Sequence, residues 1–329
     1  MAQEVSRPED PLTSALAAAE SLLREDRPAG AAEQLVSVLG VLQQRDLSED
    51  SGVVTRARAA LVGALVDLGR LDEASVLVEQ ALGVAAPPGE RILLLDVGIT
   101  LRVVRGEVRR ASLLVDELGQ SSVPAAQLAF RFRRAVLDRL SGQSEQAQRG
   151  YLWVLQRLEG VPGAEGLRAS VREGLAELAL SGGRGEVALE VFGAAAREWS
   201  RAGRGSSVAR VLAGTVRARL VIGACPPPAL LDAPLGIAEE GSLALLRVEI
   251  LVARGLSRHR VGVSGALGDL DQAVEEAHRL GARLLEGRAL LARGSIRRTV
   301  DDEERIGLCP RLPVSGPEVV DSRTMGRES

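Results

Sequence analysis

A glycine followed five residues later by an alanine recurs along this chain, and that recurrence limits the fold more than any other feature. The series is Gly69 with Ala74, Gly106 with Ala111, Gly142 with Ala147, and Gly183 with Ala188, with a weaker copy at Gly268 and Ala273. Glycines 69, 106, 142 and 183 stand 37, 36 and 41 residues apart. Each copy lies between two apolar segments of helical period, which is the pattern of helix, tight turn, helix. Glycine adopts the left-handed backbone at a helix end, an acidic residue suits the first turn of the next helix, and a small alanine lets the two helices approach closely. In the clearest copy Leu61, Leu65 and Leu68 line one stripe, and Ala74, Val78, Ala81 and Leu82 line the face it packs on. Such a pair exposes an apolar face that only another pair can cover, so the units are expected to stack.

Composition agrees and removes several functions. Aromatic residues make up 2% of the 329 residues, and Ala, Leu, Arg, Glu and Val dominate, so an all-α protein is expected. The chain has no Lys and no Asn; all 41 basic residues are Arg, against 44 Asp and Glu. Without Lys there is no GxxxxGK[ST] phosphate loop, no Schiff-base lysine and no kinase-type ATP lysine. A net charge of −3 disfavours nucleic acid as a partner. Cys225 and Cys309 lie far apart with no His beside either, which fits a reducing compartment and no zinc site. Residues 1–10 lack a secretory pattern, and Pro226, Pro227, Pro228 and Pro234 interrupt the least charged stretch, so a cytoplasmic protein without a membrane span is expected.

Local motifs resolve into structure. The GxGxxA letters of Gly183 to Ala188 follow a helical pattern and not a strand, so they read as a turn and not as a dinucleotide site. Glu275 and His278 have metal-ligand spacing with no second motif to complete a site, and Ser264 lies outside any nucleophile elbow. No catalytic residue, metal or cofactor is expected.

The repeats resemble the tetratricopeptide family. Its small residue, turn glycine, alanine, large apolar residue and second small residue are matched by Ala176, Gly183, Ala188, Phe192 and Ala195, and four of the five by Ala135, Gly142, Ala147 and Tyr151. The segment from Ala266 to Gly294 is similar to sensor repeats of bacterial transcription regulators. This resemblance implies a right-handed α-α superhelix of about seven helix pairs over residues 11–305, with the best repeats at 53–200, a leader at 1–10 and a flexible tail at 306–329. An opening helix pair split at Asp26 to Pro28, a short degenerate helix after Pro228, and an insertion loop at 256–267 complete the expected plan.

The resemblance also implies that first helices line a concave groove. Arg133 and Arg139 fall on one of them and are expected to reach partner carboxylates, with Phe132 and Trp153 as apolar anchors. Tyr151 and Phe192 fall on the packing position of the repeat. The function implied is a non-enzymatic scaffold that binds another protein or peptide segment; the alternative is a regulatory sensor module that binds a peptide or small effector. The family's chaperone-tail clamp needs Lys and Asn, which this chain lacks.

Overall fold

The computed structural model describes residues 11–44, 52–84 and 86–306, with backbone alone at 44 and 299–306. Among these residues every regular element is helical. The helices are α1 (Pro11–Arg24), α2 (Pro28–Gln44), α3 (Gly52–Asp67), α4 (Leu71–Leu82), α5 (Pro88–Val104), α6 (Val108–Gly119), α7 (Pro124–Leu140) and α8 (Ser144–Leu158). They continue with α9 (Glu165–Ser181), α10 (Gly185–Arg201), α11 (Gly205–Val221), a 3-10 turn (Pro228–Leu231) leading into α12 (Asp232–Glu240), α13 (Ala244–Arg260), α14 (Ala266–Leu280) and α15 (Arg283–Ile306). Seven antiparallel pairs therefore stack as a right-handed superhelix, and α15 packs on the last of them. The proposed leader and all but the first residue of the proposed tail lie outside the described residues.

Gly69, Gly106, Gly142 and Gly183 end first helices; Gly268 of the weaker copy does not, for it lies inside α14, and the turn before that helix is made by Gly262 and Gly265. Gly183 has φ +71°, its N–H bonds the Leu180 carbonyl at 3.0 Å, and the next N–H, of Arg184, bonds the Ala179 carbonyl at 2.9 Å. That pair of bonds absorbs the carbonyls a helix end leaves orphaned, and a side chain at 183 would strain it. The alanines five residues later, Ala74, Ala111, Ala147 and Ala188, are all fully buried.

A second use of glycine is mid-helical. A Cβ at Gly174 of α9 would sit 2.5 Å from the ring of Tyr151, and one at Gly214 of α11 would sit 2.5 Å from the ring of Phe192. The two large buried aromatics of α8 and α10 thus press onto bare backbone of the next pair, which is why both side chains are essentially inaccessible.

The expected insertion loop at 256–267 is not present. Helix α13 continues to Arg260 and α14 starts at Ala266, leaving a short turn. Gly255 lies within α13, and its bare backbone lets α14 approach: a Cβ there would sit 2.8 Å from Leu270.

The superhelix turns back on itself. One apolar cluster joins Val62, Leu65 and Val78 of the second pair to Val248, Leu251, Leu270 and Leu285 of α13, α14 and α15. Gly69 lies against Leu280 and Ala244, and Gly106 against Arg283. Asp26, between α1 and α2, reaches the start of α11 180 residues away: its carboxylate accepts from the Ser206 N–H at 2.7 Å, the Ser206 hydroxyl at 2.5 Å and Arg204 Nε at 3.2 Å. Helix α11 has no cap from its own Arg204, so Asp26 supplies one from across the ring.

Candidate functional site

The first helices carry their charges on the side enclosed by this ring, where acid and base pair between neighbouring repeats. Asp96 of α5 holds Arg133 of α7 through two 2.6 Å bonds. Glu173 of α9 holds Arg210 of α11 at 2.9 and 3.1 Å, and Glu177 of α9 holds Arg217 of α11 in a bidentate pair. The partners are 37, 37 and 40 residues apart, close to the repeat length. Repetition of backbone geometry therefore places a carboxylate on one repeat opposite a guanidinium on the next.

These side chains are enclosed by protein but still meet water. Two hollows lie among them, one of about 200 Å³ and one of about 510 Å³. Arg139, Glu177 and Arg288 line both. Burial pushes the Glu177 carboxyl up, but Arg217 and Arg288, with Arg139 behind them, outweigh it and hold the group down at about 2. At Asp67, on the end of α3, burial wins over the more distant Arg204 and Arg210, and its carboxyl is raised. Glu173 raises Arg210 further above its ordinary range. The Tyr151 hydroxyl, beside Arg139, is raised by burial.

The four sequence-selected residues separate. Arg139 lines the enclosed space, as expected of a groove residue. Arg133 faces inward but is already engaged by Asp96. Phe132 is 8% exposed, and its ring lies 6.1 Å from that of Tyr151, so it is a packing residue whose edge meets the smaller hollow, not a free anchor. Trp153 is on the second helix α8, apart from the other three, between the guanidiniums of Arg131 at 5.4 Å and Arg157 at 3.9 Å from its ring centre. Sequence reasoning missed Glu173, Glu177, Arg210, Glu249 and Arg288. The available signal was a carboxylate followed one repeat later by an Arg.

A further hollow, of about 990 Å³, lies elsewhere, over α3 and between the second helices α2 and α4. Its walls are mostly apolar with Glu33 and Gln80 among them, and of its other charges Arg70 and Glu73 pair with each other while Asp72 pairs with Arg105. No group of His, Cys, Asp and Glu among the described residues is arranged to hold a metal, and His278 bonds Glu286 at 2.8 Å. Among the described residues no helix is long and apolar enough to cross a membrane.

With this geometry in view, comparison with known proteins places the fold. No protein-family model matches the chain and no curated protein sequence does. Among solved structures it is similar to a Rap protein complexed with competence and sporulation factor, at 10% identity and a TM-score of 0.62, over 91% of this chain and 89% of that one. BtubC from P. vanneervenii aligns at 15% identity and a TM-score of 0.41, over 72% and 93% of the two chains. A tetratricopeptide repeat protein from Parabacteroides merdae aligns at 15% identity and 0.40, over 85% and 98%. The fold is a tetratricopeptide-like helical-repeat solenoid.

Proposed function

We propose that the protein is a non-enzymatic, cytoplasmic interaction scaffold that takes a segment of another protein into the space its first helices enclose. The observation that carries this reading is the lining: charged side chains of α7, α9, α11, α13 and α15 surround water-accessible hollows instead of a dry core. Folding a chain so that paired charges face an interior gains little stability by itself, because desolvation offsets the attraction. The same charges give a bound segment orientation and specificity. Arg139 is the sequence-selected residue best placed to contact it.

A second reading, a regulatory sensor module of a bacterial signalling or transcription-control system that binds a peptide or small effector, draws on the fold likeness to a Rap protein solved with competence and sporulation factor. A hollow of about 510 Å³ is in the size range of small-ligand pockets.

The test is selection from a displayed library of random dodecapeptides, followed by hydrogen exchange on the full chain with a selected peptide bound. Slowed exchange along α7, α9, α11 and α13 is expected. Slowing confined to the second helices, or no selected peptide at all, would overturn the groove reading. A rise in thermal stability with small metabolites but not with peptides would transfer the site to the sensor reading.

A further inference from the structure

We infer that the hollow between α2 and α4 is a docking site for a helix of another protein, apolar along one face and carrying Arg or Lys in its last turn. The site lies among second helices, away from the space that the first helices enclose. It is therefore independent of the scaffold reading above.

Helices α2 and α4 each pack on α3 and leave a trough between them. Its walls are single helix faces. Ala29, Ala32, Glu33 and Val36 recur at helical spacing along α2, and Glu73, Val76, Leu77 and Gln80 do so along α4. Leu61, Leu65 and Leu68 of α3 form the floor. The two facing valines, Val36 and Val76, are 59% and 56% exposed. A helix laid between the walls takes both valines and the floor out of contact with water. Ala29 and Ala32 keep one wall low enough for its backbone to come near. Two turns of a helix about 10 Å across fill roughly 850 Å³, which the hollow of about 990 Å³ accommodates.

Charge chooses among helices. The trough carries Glu33, Asp72 and Glu73 against one guanidinium, Arg70, which Glu73 holds through bonds of 2.6 and 2.5 Å. Glu33 makes no ion pair among the described residues, and the Asp72 side chain is 94% exposed although Arg105 reaches it. Ser242 lines the trough and also a smaller hollow beyond it, which adds Glu239 and Glu276 against Arg247. The whole chain carries −3, so this negative excess is local.

The excess also has a direction. Asp72 and Glu73 open α4 and Glu33 lies in the second turn of α2, so the carboxylates gather at the N-terminal ends of both walls. The far end, at Val36 and Gln80, is uncharged. Asp72 and Glu73 also serve the dipole of α4, but Glu33 lies past the first turn, where that effect has fallen away. A helix running antiparallel to α2 and α4 brings its own C-terminus to the acidic end. A guanidinium or ammonium there is favoured by its own helix and by the carboxylates it meets.

The probes are three N-acetylated, amidated Ala-based peptides of about 18 residues, long enough to be partly helical in water. The first has Leu at i, i+3 and i+7 and Arg in its last turn; the second replaces the Arg with Glu, and the third replaces the Leu with Ser. Binding to the full chain is measured by titration calorimetry. It is repeated with Val36→Ser/Val76→Ser and with Glu33→Gln, variants at exposed positions whose fold circular dichroism confirms. The first peptide is expected to bind, and affinity to fall at least about tenfold with either altered peptide or with the valine variant, and about threefold with Glu33→Gln. Equal binding of the Arg and Glu peptides, unchanged affinity in the valine variant, or no binding by any probe would overturn the site. Sedimentation of the chain alone covers a second copy: a dimer that the valine variant loses would give the hollow to that copy and overturn the partner inferred. None of these results bears on the enclosed space, which the dodecapeptide selection decides separately.

Discussion

The inner face contains two kinds of junction between repeats, and they differ in how completely their charges are matched. Between α5 and α7, and between α9 and α11, each inward guanidinium meets a carboxylate in hydrogen-bond range. Around Arg139 and Arg288, where α7, α9, α13 and α15 converge, the guanidiniums outnumber their partners. Matched junctions tie one repeat to the next; at the unmatched one the guanidiniums lack a full set of hydrogen-bonded carboxylates.

The comparison breaks most visibly at Glu177, the carboxylate on which both junctions meet. Replacing it with Ala leaves Arg217, Arg288 and Arg139 facing one another, and a loss of roughly 3 kcal/mol in urea unfolding is expected. The same residue gives a pH signature. Its carboxyl is lower in the folded protein than its ordinary value of 4.5, so its contribution to stability is complete above about pH 4.5 and disappears as pH falls toward 2. Stability measured across that window should fall less steeply in Glu177→Gln than in the parent. Asp96→Ala, which frees Arg133, is expected to cost about 1–2 kcal/mol, since Asp96 is about a third exposed. Asp26→Ala removes the cap supplied to α11 and is expected to cost about 1 kcal/mol, with faster hydrogen exchange at Ser206. Arg139→Gln should change stability least, by about 0.5 kcal/mol, because only its longer-range attraction to Glu177 and its contact with the Tyr151 hydroxyl are lost; a larger loss would place Arg139 among the structural charges.

The helix pairs were readable because each is specified locally. A turn glycine and an alanine five residues on give the same geometry in four consecutive pairs, though not at Gly268 and Ala273, which both lie within α14, and even the degenerate sixth pair followed from Pro228 and its neighbours. The glycines of the 256–267 stretch misled because they suggest a loop, whereas Gly262 and Gly265 make one short turn between α13 and α14 and the bare backbone of Gly255 lets Leu270 pack against α13. Arg133 and Phe132 looked available because their partners, Asp96 and Tyr151, belong to elements 37 and 19 residues away in sequence. The return of the superhelix onto itself left no periodic trace, since Asp26 and Ser206 are matched once and not by repetition.

That return also bears on how the molecule comes apart. An open stack of repeats has two ends, and its terminal units fray one after another because each is held on one side only. In this chain the first pair is held by the second and, through Asp26, by the sixth, while α13 to α15 rest on α3 and α5. Peeling away the first pair therefore breaks two boundaries at once, so a linear array gains the cooperativity of a closed one and its loss of structure is driven toward a single step.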